Sequence, residues 1–423
     1  MAISILQRQA LALLKKFYGY DSFRPGQFEI IEAVASGRDA VVLMPTGGGK
    51  SMCYQMPALL ADGCAVVVSP LIALMDDQVA ALRANGIPAA ALHSNLTDGE
   101  SRAIVAKLAE GCIKMVYVSP ERLMLDIERW RGVVDISLFA IDEAHCISQW
   151  GHDFRPVYTE LSRIKELFPD KPVIALTATA DRLTRDDIAG QLRLCNPLKF
   201  IGSFDRPNIS LRVMPNPGKA GRVAAIERLI ERYRDDSGVV YCLSRNGAEA
   251  MTAELRSRGY RAVCYHAGMS SAERARSQQA FISGDASVVC ATVAFGMGID
   301  KSNIRWVVHN NLSPNIEAYY QEVGRAGRDG LPAEALMFYS LSDLHTLRAF
   351  ADESGRQLVN REKLDRMLSY VQSPVCRRRT LLSYFSEIYD HDCGNCDICN
   401  NPPRRFDGLI AAQKAISAVI RCG

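Results

Sequence analysis

Residues 41–51 read V-V-L-M-P-T-G-G-G-K-S, an apolar run that ends in three glycines, a lysine and a serine. Successive glycines let the backbone curl tightly and turn its N–H groups toward an anion. A helix predicted to begin near Lys50 adds its positive N-terminal end to the same pocket. The stretch therefore predicts a strand, a phosphate-binding loop and a helix, which is the opening unit of an α/β nucleotide-binding fold.

The candidate phosphate-binding residues follow from this loop. Lys50 is placed to meet the β and γ phosphates, and the Ser51 hydroxyl is a candidate ligand for Mg²⁺. The pattern G-x-x-x-x-G-K-[ST] is met except at its first position, where Met44 replaces glycine. The amide cradle does not depend on that position. The predicted nucleotide-binding residues of the loop are Met44, Pro45, Thr46, Gly47, Gly48, Gly49, Lys50 and Ser51.

A second apolar run, residues 138–145, reads L-F-A-I-D-E-A-H and ends in two adjacent carboxylates. In nucleotide-hydrolysing enzymes with a phosphate loop, a second strand carries an aspartate for the Mg²⁺ shell, and Asp142 fits that position. Glu143 is then the candidate general base that orients and deprotonates the attacking water. Surface acidic pairs are common, but they rarely follow a buried strand. Together the two motifs predict hydrolysis of a nucleoside triphosphate.

Length and composition set the outer limits. The chain has 423 residues, 48% of them hydrophobic, which is enough for two or three domains with their own cores. The net charge is only +3, so any basic surface for nucleic acid must be local. No window approaches the eighteen apolar residues of a membrane span, and the start lacks the order of a signal peptide. We therefore expect a cytosolic-type protein whose cysteines are mostly reduced.

Short β-branched runs alternate with helical stretches, a rhythm that predicts parallel sheets covered by helices. A first set of strands is predicted at 40–44, 65–69, 114–118, 137–141 and 172–176, and a second at 238–242, 261–265, 287–291, 304–309 and 334–339. A proline-containing stretch from Gly202 to Pro217 is interpreted as the break between two α/β domains. After residue 341 the strand signal stops, and helices are predicted at 342–353 and 360–372.

Three cysteines spaced C-x2-C-x2-C, with a fourth separated from the first of them by sixteen residues, predict a metal site. Thiolates at this spacing suit a tetrahedral, structural zinc ion, and the ligands would be Cys376, Cys393, Cys396 and Cys399. An iron–sulfur cluster is the alternative, but ferredoxin-type clusters usually carry a proline after the last ligand, and here Asn400 follows. The neighbouring arginines 377–379 are interpreted either as DNA-backbone contacts or as a solvated turn.

These blocks, in this order, resemble superfamily 2 helicases. Thr177-Ala178-Thr179 is similar to the motif that couples two motor domains, and residues 291–301 and 321–330 resemble the blocks of the second domain. Residues 17–27, F-Y-G-Y-D-S-F-R-P-G-Q, residues 149–156, Q-W-G-H-D-F-R-P, and the cysteine cluster together resemble the RecQ family. The resemblance implies two tandem RecA-like domains with parallel sheets, followed by a small helical zinc-binding module. The expected bounds are 1–205, 206–340 and 341–401, with 402–423 opening a truncated winged-helix-type region.

The resemblance also implies further site residues. Gln27 would read adenine through its amide, with Tyr20 and Arg24 stacking on or flanking the base, and the alternative is an exposed turn before a helix. Trp150, His152, Phe154 and Arg155 would bind DNA by stacking and charge, and the alternative is a core-packing loop.

Arg325 and Arg328, three residues apart, are predicted to share one helix face. One of them would serve as an arginine finger, and their order is left open. The alternative is a solvated basic helix.

The expected function is an ATP-dependent 3′-5′ DNA helicase or translocase that acts in DNA repair and recombination. Its expected cofactors are ATP, Mg²⁺ and structural Zn²⁺, and its expected partner is single-stranded or partly duplex DNA. An RNA-acting helicase and a nucleic-acid-binding module without turnover are the two alternatives. The expected location is cytoplasmic, at a bacterial nucleoid, with a nuclear location as the second option.

Overall fold

The computed structural model describes residues 4–151, 153–293, 295, 301–353, 355–403 and 408–422. Within these ranges the chain forms two parallel β-sheets flanked by helices, followed by a helical region that holds the four clustered cysteines. The predicted α/β class, with two tandem parallel-sheet domains and a small helical module, is confirmed. Of the predicted sites and blocks, His152, Ala294 and residues 296–300 lie outside the described residues.

The first sheet has seven strands in the order β3-β4-β2-β5-β6-β1-β7, and its paired strands are parallel. Its strands are β1 (Ala40–Leu43), β2 (Cys64–Val68), β3 (Ala89–Leu92), β4 (Met115–Val118), β5 (Ile136–Ile141), β6 (Val173–Thr177) and β7 (Leu198–Ile201). Every residue of β1, β2 and β6 is buried, which is why these strands read as unbroken apolar runs. Because the paired strands are parallel, the carboxyl ends of β1 and β5 place the phosphate loop and the acidic pair on one edge of the sheet.

The helices of this first part cover both faces of the sheet. They are α1 (Ile5–Tyr18), α2 (Gln27–Ala35), α3 (Met52–Leu60), α4 (Ile72–Ala84), α5 (Asp98–Ala109), α6 (Pro120–Trp130), α7 (Pro156–Thr159), α8 (Arg163–Leu167) and α9 (Arg182–Gln191). Short 3-10 turns lie at Ala144–Ile147 and Glu160–Ser162. Helix α1 begins at a serine cap, where Ser4 accepts from the Gln7 N–H, and ends at Gly19 in the left-handed region.

The second sheet has six strands in the order β10-β11-β9-β12-β13-β8, again with parallel pairs. Its strands are β8 (Ile209–Pro215), β9 (Ser237–Tyr241), β10 (Ala262–Tyr265), β11 (Val288–Ala291), β12 (Ile304–His309) and β13 (Ala333–Tyr339). Its helices are α10 (Gly218–Arg232), α11 (Arg245–Ser257), α12 (Ser271–Ser283) and α13 (Ile316–Val323). The stretch 202–217, interpreted as the break between the two domains, contains β8, a strand that was not predicted and that pairs along its whole length with β13.

The helical region contains α14 (Leu341–Glu353), α15 (Gln357–Gln372), α16 (Arg377–Tyr384), α17 (Asp397–Asn400) and α18 (Leu409–Cys422). One hydrophobic cluster continues from the first sheet through the second into this region, where it includes Met367, Tyr370 and Phe385. The region is therefore packed against the two sheets and shares a hydrophobic core with them. None of the helices in the described ranges combines the length and apolar character needed to cross a membrane.

Candidate active site

The phosphate loop leaves β1 and curls back before α3. Gly47 and Gly49 have φ angles of +76° and +83°, which side-chain-bearing residues rarely adopt, so glycine is required at both. The Lys50 ammonium donates to the carbonyl oxygens of Met44 and Pro45 at 3.0 and 3.3 Å. Burial lowers the pKa of Lys50, and the nearby Glu143 and Asp142 carboxylates oppose that shift. The loop thus holds a half-buried cation at the centre of a curled backbone.

An observation on Thr46 tests whether this loop fits a phosphate. Its hydroxyl oxygen is buried and has no hydrogen-bond partner among the described residues. A buried hydroxyl without a partner costs free energy unless a ligand or water meets it. The unpaired hydroxyl, the left-handed glycines and the Lys50 ammonium form a donor set that suits a triphosphate.

Gln27 opens α2 directly above the loop and is only 4% exposed. Its amide nitrogen donates to the Gly49 carbonyl at 3.1 Å, and its amide oxygen accepts from the Arg24 backbone N–H at 2.8 Å. The Arg24 guanidinium donates to the Gly47 carbonyl. Tyr20 is 61% exposed, so its ring face is open to a ligand. Of the three residues predicted to read adenine, Gln27 and Arg24 therefore contact the phosphate loop, and Tyr20 is exposed.

The acidic pair lies at the end of β5, within reach of Lys50. The Glu143 N–H donates to an Asp142 carboxylate oxygen at 2.9 Å, and Glu143 adopts a φ of +47°. Burial, followed by the charge of Glu143, raises the pKa of Asp142 to about 7. Two carboxylates that share a buried space favour a cation between them and the phosphates, and they fit a Mg²⁺ ion on chemical grounds.

A series of polar contacts, continued through the covalent bonds of Thr179, connects Glu143 to the second sheet's domain. A Glu143 carboxylate oxygen lies 3.3 Å from His145 Nδ1, which in turn lies 2.9 Å from the Thr177 hydroxyl. The Thr177 hydroxyl donates to the Thr179 carbonyl oxygen at 3.2 Å. The Thr179 hydroxyl accepts from the Gln321 amide of α13 at 2.9 Å. Gln321 was not predicted as a site residue, and only the match of residues 321–330 to a helicase block marked its neighbourhood.

Arg325 and Arg328 do not share a helix face, so that prediction is wrong. Helix α13 ends at Val323, and residues 324–330 form turns. Gly327 and Gly330 have positive φ angles, so the backbone that follows α13 does not return to a helix. Arg325 is buried and lines a cavity of about 280 Å³ with Glu143 and Gln321. Arg328 lies over the phosphate loop, because a Cβ added at Gly47 would meet its Cγ at 3.5 Å.

The loop after the acidic pair, residues 148–155, is held close to it. A Cβ at Gly151 would lie 2.2 Å from the His145 carbonyl oxygen, so only glycine allows this approach. Trp150 is 47% exposed, whereas Phe154 and Arg155 are half-buried. Arg155 donates to the Pro70 carbonyl at 3.2 Å and pairs with Asp153 at the same distance. The loop is therefore neither free nor a buried core, and its tryptophan faces outward.

Arg356, from the helical region, also contacts this loop and was not predicted. Its guanidinium donates to the carbonyl oxygens of Gln149 and Gly151, the latter at 2.8 Å, and lies over the Phe154 ring at 5.6 Å from the centroid. No sequence signal marked it, since it lies about two hundred residues from its partners. The loop thus sits between the acidic pair and the helical region.

The four predicted zinc ligands converge. The sulfur atoms of Cys376, Cys393, Cys396 and Cys399 all lie within 4.8 Å of one another. Backbone N–H groups point at the sulfurs, such as that of Arg377 at Cys396 Sγ and that of Asn395 at Cys393 Sγ, at 3.4 and 3.3 Å. Such N–H···S contacts stabilise thiolates, so the donor set fits a tetrahedral Zn²⁺.

Both interpretations of the arginines beside the cluster are wrong for two of them. Arg377 and Arg378 are buried, so neither forms a DNA contact or a solvated turn. Arg377 pairs with Asp397 at 3.0 Å, inside the cysteine loop. Arg378 pairs with Asp205 at 3.3 Å, between the two sheets. These pairs join the cysteine cluster to the motor.

Two parallel-sheet domains, with a phosphate loop and an acidic pair on one and an arginine-bearing turn on the other, define a nucleotide-hydrolysing motor of the helicase class. Solved helicases share this fold. The Mycobacterium smegmatis helicase Lhr, bound to ssDNA and AMP-PNP, is 20% identical with a TM-score of 0.62, covering 91% of this chain and 56% of that one. The DEAD-box helicase Mss116, bound to ssRNA and UDP-BeF, is 17% identical with a TM-score of 0.66, covering 88% and 82%. This likeness establishes RecA-like domains but not the nucleic acid.

Sequence comparison narrows the class. Residues 24–187 match the DEAD/DEAH box helicase family, 221–330 the helicase conserved C-terminal domain and 341–400 the RecQ zinc-binding family. The chain is 48% identical to the ATP-dependent DNA helicase RecQ of Haemophilus influenzae, covering 98% of this chain and 67% of that protein. It is 40% identical to that of Bacillus subtilis, covering 98% and 70%. The chain belongs to the RecQ family of ATP-dependent DNA helicases and spans about two thirds of the length of these relatives.

The predicted family and enzyme class are therefore confirmed. Both relatives are named DNA helicases, so the RNA-acting alternative finds no support in them. The match to the RecQ zinc-binding family agrees with the convergence of the four cysteines. It favours zinc over an iron–sulfur cluster at this position.

Replacing Cys396 with serine is expected to abolish zinc binding and to unfold the region after residue 341 more than the ATP site. The reason is that metal binding contributes directly to the folding of small closed sites. Metal analysis should give one zinc per wild-type chain and nearly none in the variant, with Zn–S distances of about 2.3 Å in the wild type. Cys112→Ser, an exposed single cysteine, is the matched control. Iron with visible absorbance, or a metal-free wild type, would contradict this assignment.

Proposed function

We propose that this chain couples ATP hydrolysis to 3′-5′ movement along single-stranded DNA, in DNA repair and recombination. The observation that carries the proposal is the polar series from Glu143 through His145, Thr177 and Thr179 to Gln321. It joins the hydrolytic carboxylate to a helix of the other domain. A change at the nucleotide is thereby linked to the relative position of the domains, which is what a stepping motor needs. The polarity rests on the family resemblance.

We assign the nucleotide roles as follows. Lys50 and the loop amides of residues 46–50 hold the β and γ phosphates, while Gln27, with Tyr20 and Arg24, reads the adenine. Glu143 takes the proton of the attacking water. Asp142 and Ser51 are the residues that would hold Mg²⁺, which when bound neutralises charge on the phosphate oxygens.

The second domain contributes positive charge to the same cleft. Arg325 faces Glu143 within the shared cavity, and Arg328 lies over Gly47 of the phosphate loop. Either guanidinium can stabilise charge that develops on the transferred phosphoryl group, an effect worth several orders of magnitude in rate for an arginine finger. The order of the two roles follows from comparing their single alanine variants.

For nucleic acid we assign Trp150, Phe154 and Arg155, together with His152. Aromatic faces stack on bases with little sequence preference, which suits a translocating enzyme. The exposed Trp150 is the open stacking surface of this loop. The proposed partners are single-stranded and partly duplex DNA, and the proposed location is the cytoplasm at a bacterial nucleoid.

The proposed domain bounds are 1–205 and 206–340 for the two motor domains and 341–401 for the zinc module. Residues 402–423 are assigned to the start of a winged-helix-type region. In support, the described part of α18 exposes an apolar face that includes Leu409, Ile416 and Ile420. Such a face is expected of a helix that belongs to a larger packed unit.

The test is ATP hydrolysis with single-stranded DNA, with RNA of the same sequence and without nucleic acid. We expect DNA to raise kcat by at least about tenfold and RNA to raise it far less. The reason is that base stacking and phosphate contacts must shift the position of the acidic pair. Phosphate release is the readout. A rate that is the same under all three conditions would refute the coupled motor, and a rate raised equally by RNA would refute the DNA preference.

A further inference from the structure

The segment that joins the two sheets, residues 203–208, is held on all sides. We call it the joining segment. The Phe204 N–H donates to a Glu387 carboxylate oxygen at 2.7 Å, and the Phe204 ring stacks on Phe385 at 4.5 Å. Asn208 donates its amide to the Gly327 and Leu331 carbonyls, both at 2.9 Å. A segment fixed in this way cannot act as a loose tether, so its side chains occupy defined places.

Arg206 is the residue of this segment that reaches the nucleotide site. One guanidinium nitrogen donates to the carbonyl oxygens of Thr46 at 3.2 Å and Gly324 at 3.1 Å. The other donates to those of Ala326 and Gly327, both at 2.9 Å. Thr46 belongs to the phosphate loop, and the other three belong to the turn that carries Arg325 and Arg328. A single side chain therefore bridges the two halves of the cleft through backbone atoms.

The two backbones also touch at this point. A Cβ added at Gly324 would lie 2.1 Å from the Thr46 hydroxyl oxygen, so the turn can approach the loop only as glycine. Arg206 lies at this junction and satisfies carbonyl groups of the turn that α13 leaves without helical partners. Without the Arg206 side chain, its four hydrogen bonds would be lost and would no longer fix the distance between the turn and the loop.

An arginine with a purely structural role would have a different set of hydrogen-bond partners. An arginine that only stabilised the second domain would bond within that domain, as Arg305 does with Asp329 and with carbonyls of 302–332. Arg206 instead donates one of its hydrogen bonds to the phosphate loop of the first domain. Its partners are backbone carbonyl oxygens, so Arg206 fixes the path of the backbone and does not neutralise the charge of a side chain.

We propose that Arg206 is a positioning residue for ATP hydrolysis. Arg206 fixes the position of the turn that carries Arg325 and Arg328 relative to the phosphate loop. The joining segment links that position to the zinc module through its contacts with Phe385, Glu387 and Arg378. This inference rests on the proposed hydrolysis at the cleft between the domains. The guanidinium offers five N–H donors in a rigid fork, whereas lysine offers a point charge. Lysine cannot bridge four carbonyl groups in this geometry.

The test compares Arg206→Lys and Arg206→Ala with wild type at saturating single-stranded DNA. Misplacing catalytic groups by about 1 Å can cost about a hundredfold, so we expect kcat to fall at least about tenfold in both variants. The KM for ATP and the affinity for a fluorescent ADP analogue should change by less than about threefold, since ground-state binding is retained. The melting temperature of Arg206→Lys should stay within about 3 °C of wild type. Arg212→Ala, a half-exposed arginine of β8, is the matched control.

The outcomes separate cleanly. A wild-type kcat in Arg206→Lys would overturn the proposal, because a point charge would then suffice. Loss of nucleotide affinity in proportion to kcat, together with a lower melting temperature, would also overturn it and assign Arg206 to folding. A wild-type enzyme without DNA-stimulated hydrolysis would instead refute the proposed function, whatever the variants do.

Discussion

Replacing Glu143 with glutamine is expected to leave ATP binding intact while lowering turnover by about two to four orders of magnitude, the usual contribution of a general base. The carboxylate at the end of β5 is the group that can take the proton of water, and an amide of the same shape cannot. The Glu143 backbone is fixed by its N–H bond to Asp142, so the substitution leaves the geometry of the strand end unchanged.

The measurement is phosphate release beside equilibrium binding of a fluorescent ATP analogue. Lys50→Ala provides the contrast, because it removes the cation that meets the β and γ phosphates and should lose binding itself. Glu121→Gln, an exposed glutamate in the first turn of α6, is the matched control and should match wild type. Turnover near wild type in Glu143→Gln would remove Glu143 from the role of base.

Much of the fold could be predicted because the buried parallel strands carry their own signal. Unbroken β-branched runs marked β1, β2 and β6, whose residues are buried throughout. Strand β3 was missed because it reads A-A-A-L, and alanine has a low preference for strands. Strand β8 was missed for another reason: its alternating I-S-L-R-V pattern lies between prolines, which favoured a break.

The site residues also fall into those that the sequence predicted and those that it did not. The phosphate loop, the acidic pair and the cysteine cluster were predicted because each is a local spacing of chemically distinct residues. Arg206, Gln321 and Arg356 were not, since each acts on a partner more than a hundred residues away. Such pairs depend on how the two sheets and the helical region pack. One-dimensional spacing carries no information on that packing.

The arginine pair shows where a local rule fails. A spacing of three predicts one helix face, but α13 ends at Val323, before both arginines, and the positive φ angles of Gly327 and Gly330 keep the following chain in turns. The two arginines therefore have different neighbours in the cleft. One arginine faces the acidic pair, and the other faces the phosphate loop.

The second large effect concerns the loop of residues 148–155. Trp150→Ala or Arg155→Ala is expected to lower DNA-stimulated hydrolysis at least about tenfold, because the loop would no longer position the acidic pair when DNA binds, and misplacing catalytic groups by about 1 Å can cost about a hundredfold. Basal hydrolysis and ATP affinity should change by less than about threefold, since the phosphate loop is untouched. The loop is tied to the acidic pair by the contact of Gly151 with the His145 carbonyl. We therefore expect a base that moves Trp150 to move the segment that carries Asp142 and Glu143 as well.

DNA binding itself should fall only modestly, because phosphate contacts over both domains supply most of the affinity. Fluorescence reports the loop directly, since Trp130 and Trp306 are buried and Trp150 is the exposed tryptophan of the three. Acrylamide quenching should therefore drop when single-stranded DNA covers Trp150. Arg163→Ala, an arginine of α8 paired with Glu128, is the matched control for Arg155→Ala. If the loop were only core packing, the variants would melt earlier and lose basal and stimulated rates in proportion, and that proportional loss would refute the coupling.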